Sequence, residues 1–69
     1  MHVDESIEIE AVRDELAMAR AEQAEALRRA HHLRAMGSLR DIREAERNVD
    51  VLHSRVTSLQ FQLRSLRPV

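Results

Sequence analysis

The sequence predicts an all-α fold: an antiparallel two-helix hairpin of coiled-coil type, completed to a helical bundle by oligomerisation or by docking on a partner. Three observations carry that expectation. Residues recurring at alternating steps of three and four, the spacing that keeps side chains on one helical face, form one stripe from Ile9 to Leu33 and another from Ile42 to Leu66. The stripes are mirror images, each position pairing with one in the other stripe so that their numbers add to 75. The mirror point lies between Gly37 and Ser38, where residue chemistry favours a helix break.

The first stripe comprises Ile9, Val12, Leu16, Ala19, Gln23, Ala26, Ala30 and Leu33. It predicts helix one over about 4–36, with Asp4, Glu5 and Glu8 at its start and Arg28, Arg29 and Arg34 near its end, as the helix macrodipole favours. A turn at 37–38 follows. Gly37 suits the left-handed position that closes many helices, and Ser38 with Asp41 three residues on reads as an N-cap and capping box. The second stripe, Ile42, Ala45, Val49, Leu52, Val56, Leu59, Leu63 and Leu66, predicts helix two over about 39–67. Asp41, Glu44 and Glu46 open it, and Arg64 and Arg67 close it before Pro68. An unbroken helix needs that charge polarity only once. Its stripe would also slip, because Ala30 to Ile42 is twelve residues where a continued heptad needs fourteen.

At 69 residues the chain is one domain, 1–69, near the lower size limit for a self-sufficient core. Without cysteine it has neither disulfides nor thiolate metal sites. The longest apolar run, Leu16-Ala17-Met18-Ala19, is far too short to span a bilayer, so no membrane partner is expected. The amino-terminal region is acidic and lacks the apolar stretch of an ordinary secretory signal. A soluble, cytoplasmic protein is expected. All eleven basic residues are arginine. That suits phosphate recognition, but a compositional bias that also raises alanine explains it more simply.

Pairing the stripes exposes a deficit. Ile9 with Leu66, Val12 with Leu63 and Leu16 with Leu59 fill the outer layers, whereas Ala19, Gln23, Ala26 and Ala30 face Val56, Leu52, Val49 and Ala45. Two helices cover each stripe on one side only, so Val49, Leu52 and Val56 are expected to stay partly wet, and sixteen seam residues seldom outweigh the ordering entropy. A second hairpin packed across the first would give a four-helix bundle. The residues expected at the core and oligomer interface are Leu16, Val49, Leu52, Val56 and Leu59. Phe61, the single aromatic, and Val51 lie away from the seam on helix two and are candidate partner contacts.

Chemistry is sparse. His31 and His32 point about 100° apart on a helix and cannot chelate one ion together. His2 and His53 are distant from them, His53 falling near Ala21 and Glu22, so no metal or cofactor is expected. No nucleophile sits with a base, no phosphate loop is present and a slim hairpin offers no concave pocket, so enzyme activity is not expected. Residues 26–40 contain no acid, and Arg28, Arg29, Arg40, Arg43 and Arg47 form a candidate anion or nucleic-acid contact at the turn end. Asp41, Glu44 and Glu46 are interleaved with them, which weighs against that use.

The architecture resembles small RNA-binding four-helix bundles of the Rop kind and the helical hairpin of a ribosomal large-subunit protein family. The likeness is one of shape and assigns no residue here. The leading expectation is a non-enzymatic coiled-coil hairpin for self-association and protein–protein docking, a small structural or adaptor subunit. It would act as a homo-oligomer, within a larger assembly, or both. The alternative is a small homo-oligomeric RNA- or DNA-binding regulator using the arginine-rich turn end. A metal- or pH-responsive switch through His31 and His32 ranks third.

Overall fold

The computed structural model describes the backbone of residues 3–66 and the side chains of residues 7–66. Helix α1 runs Val3–Met36 and helix α2 runs Leu39–Leu66. They pack against each other as an all-α hairpin. His2, Arg67 and the expected helix stop at Pro68 lie outside the described residues, as do the side chains of Asp4 and Glu5. The molecule measures 54 × 14 × 14 Å along its principal axes. The long dimension is that of α1 itself, since 34 residues at a rise of ~1.5 Å extend about 51 Å.

Burial follows the two stripes. Every seam position from Ile9 to Leu66 is buried or half-buried, and among the described side chains the only other residue that is not exposed is Gly37. Val12, Leu16, Ala19, Val56 and Leu59 form the core cluster, with Leu63 and Leu66 packed against it. The core therefore sits in the half of the hairpin away from the turn. Towards the turn the buried seam residues are Ala26, Ala30 and Ala45, which add little apolar area. Val49 and Leu52 are half-buried, but Val56 is only 6 % exposed, contrary to the expectation that it stays partly wet. Leu16 and Ala19 of α1 share the core cluster with it and, with Leu59, enclose it.

The turn is built differently from the sequence expectation. No described residue, Gly37 included, has a positive φ, so α1 does not end through a left-handed glycine. The Gly37 amide donates to the Leu33 carbonyl, continuing the helical pattern one step past Met36. What requires glycine is space. A Cβ there would lie 2.8 Å from the Leu33 oxygen and 3.0 Å from its Cδ2. Ser38 caps α2 as its position suggests: Oγ accepts from the Asp41 amide at 3.3 Å, and the carbonyl accepts from the Ile42 amide at 3.0 Å.

Candidate functional site: two unequal sides and the turn end

The seam has two edges, and each faces solvent on its own side. In α1 the seam alternates between Ile9, Leu16, Gln23, Ala30 and Val12, Ala19, Ala26, Leu33; in α2 it alternates in the same way. One side of the hairpin has two shallow grooves floored by members of the first set, Ala30 with Val49 and Leu16 with Leu63. The opposite side has two floored by the second set, Leu33 with Ala45 and Val12 with Leu66. These are open furrows between helices, where the sequence suggested no concavity at all.

The sides differ in charge. Around the first pair of grooves stand Arg20, Arg34 and Arg64 against Glu46 and Asp50. Around the second stand Glu8, Glu15, Asp41 and Glu44 against Arg29 alone. Heptad spacing causes this, because Glu8, Glu15 and Glu22 recur every seven residues on one flank of α1 while Arg13 and Arg20 occupy the other. The first side also has its charges partly settled. Arg34 donates to Glu46 across the helices at 2.9 Å, and Gln23 Nε2 lies 3.1 Å from His53 Nδ1. His53 thus meets Gln23 itself rather than the neighbouring Ala21 or Glu22.

The residues expected at the core divide. Leu16, Val56 and Leu59 are buried within the hairpin, and Val49 and Leu52 keep an open edge that a second layer could cover. Val51 and Phe61 are exposed: Phe61, by 70 %, on the back of α2 away from both grooved sides, and Val51 one heptad from Glu44, on the flank of the second side. Leu27 and Leu39 are exposed beside the first side's seam edge. The sequence offered a signal for them: each lies on the flank that carries Arg34 and Glu46, at heptad spacing.

At the turn end, Arg28, Arg29, Arg40, Arg43 and Arg47 are all exposed. Arg28 is paired with Glu25 one turn earlier, so its charge is offset locally. Among the described residues, no ion pair involves Arg29, Arg40, Arg43 or Arg47. The pairings of Arg28 and Arg34 reduce the cationic patch that residues 26–40 suggest when read without Glu25 and Glu46. His31 lines a groove beside Arg34, and no three His, Asp or Glu side chains converge among the described residues. No described helix is long and apolar enough to cross a membrane.

Comparison with models of known protein families, with curated proteins and with solved structures returns no match.

Proposed function

We propose that the protein is a non-enzymatic helical hairpin whose work is to associate with itself, forming a bundle that serves as a small structural or adaptor subunit in the cytoplasm. One observation carries this reading: the seam is only half closed. Ile9, Leu33, Ile42, Val49, Leu52, Leu63 and Leu66 are seam residues that remain half-buried, and Leu27 and Leu39 lie exposed beside them. Covering such apolar area yields about 25 cal/mol per Å2, and a second helical layer is the simplest cover for a stripe the length of the molecule. A chain this short has little stability to spare, so association and folding would be linked.

Anion or nucleic-acid binding at the turn end is the second reading, supported by the four arginines there that form no ion pair among the described residues. It ranks lower because Asp41, Glu44 and Glu46 share that end and no aromatic is present for base stacking. Light scattering of the wild type and of Val49→Asp tests the leading reading. The wild type should have a mass of at least twice 8.0 kDa. Val49→Asp, which places a charge at the open seam edge, should return the mass to that of one chain. A wild type that stays monomeric at tens of micromolar overturns the proposal.

A further inference from the structure

We propose that the second copy covers the side lined by Leu27, Ala30 and Val49, in inverted orientation, so that the turn of each hairpin lies beside the open end of the other. The inference rests on the self-association proposed above and specifies its face and direction.

Charge selects the face. The opposite side presents Glu8, Glu15, Asp41 and Glu44 with Arg29 as the single cation around its grooves, so two such sides would repel each other. The chosen side has Arg34 already tied to Glu46, and apolar Leu27, Ala30 and Val49 share one groove with them. Ion pairs closed within a chain need no partner when covered, whereas an uncompensated row of carboxylates does.

Charge also selects the direction. Residues 26–49, the turn half, contain six arginines and three acids, a net +3. The open half, counted over residues 7–25 with 50–66, contains four arginines and seven acids, a net −3. Turns at the same end would stack like on like; inversion sets each half against its opposite. Side chains agree with this. Glu10 and Ala17 lie three and two heptads before groove-lining His31, hence on the same side. With the two-fold axis close to Gln23, Glu10 of each copy faces Arg34 of the other, and Leu27 of each faces the small Ala17 of the other.

Two measurements test this. The chain has no cysteine, so Met36→Cys, exposed near the turn, takes a single spin label. In the inverted dimer the labels should lie ~40 Å or more apart. A separation below ~30 Å places both turns at one end and overturns the direction. Leu27→Glu should halve the solution mass while Val51→Glu, on the Glu44 flank of the opposite side, leaves it unchanged. If Val51→Glu dissociates the assembly and Leu27→Glu does not, the face is wrong although self-association stands. If unsubstituted protein has the mass of one chain, 8.0 kDa, self-association itself fails. Should Leu27→Glu lose its helix, the label distance decides, because the label at Met36 leaves the seam and both grooved sides unaltered.

Discussion

Gln23 and His53 meet across the two helices, Gln23 Nε2 lying 3.1 Å from His53 Nδ1. Gln23 is the one polar residue among the sixteen seam positions, and the contact gives its amide a partner where the seam opens to solvent. A polar group at a seam position fixes register at a cost in stability. Gln23→Leu should therefore stabilise the protein by about 1–2 kcal/mol, because an apolar side chain would fill a half-buried layer close to the two-fold axis. In thermal melts this corresponds to a rise of roughly 5–15 °C. A lower melting temperature would mean that the Gln23–His53 contact contributes more than its exposed setting implies.

The turn makes a second prediction. Gly37→Ala forces a Cβ to 2.8 Å from a backbone oxygen, which cannot swing aside as a side chain could. A loss of about 1–3 kcal/mol is expected in chemical denaturation. Ser38→Ala should cost about 1 kcal/mol through the lost cap. A neutral Gly37→Ala would show that the turn relaxes freely.

Burial predicts a contrast between two large apolar residues. Leu16→Ala opens the core cluster and should cost about 2–5 kcal/mol, enough to unfold much of so small a protein. Phe61→Ala removes a side chain that is 70 % exposed and should change stability by less than about 0.5 kcal/mol. A large loss at Phe61 would reveal that the back of α2 is covered in solution, making Phe61 the place to seek a partner.

The arginines at the turn end bear on the rival function. Wild-type protein should bind mixed nucleic acid no more tightly than nonspecific levels at physiological salt, as titrations at several salt concentrations would show. Submicromolar binding that weakens with salt would move the function to nucleic acid if changing Arg29, Arg40, Arg43 and Arg47 to Gln abolishes it. The salt slope would then fall by roughly one per lost phosphate contact.

The hairpin was legible because every cue agreed: two mirrored stripes, a cap at Ser38 and charge polarity repeated in each arm. What the sequence misjudged depended on local geometry. Gly37 reads as a left-handed cap from statistics, yet its requirement is clearance from Leu33, which no residue pattern encodes. Val56 reads as half wet because two helices cover each stripe on one side only, yet it is enclosed in the core cluster with Leu16, Ala19 and Leu59. The arginine patch looks unopposed in residues 26–40, since Glu25 and Glu46 lie outside that window and reach Arg28 and Arg34 through helical spacing and the fold. The unequal charge of the two sides was present in the heptads, but it acquired meaning only once the seam edges were assigned to their grooves.

The most direct test of self-association is the melting temperature of the unsubstituted chain, followed by circular dichroism over a hundredfold range of concentration. If folding is linked to association, the melting temperature should climb by roughly 10 °C across that range. A melting temperature independent of concentration, with one full transition and the mass of one chain, 8.0 kDa, would contradict the account.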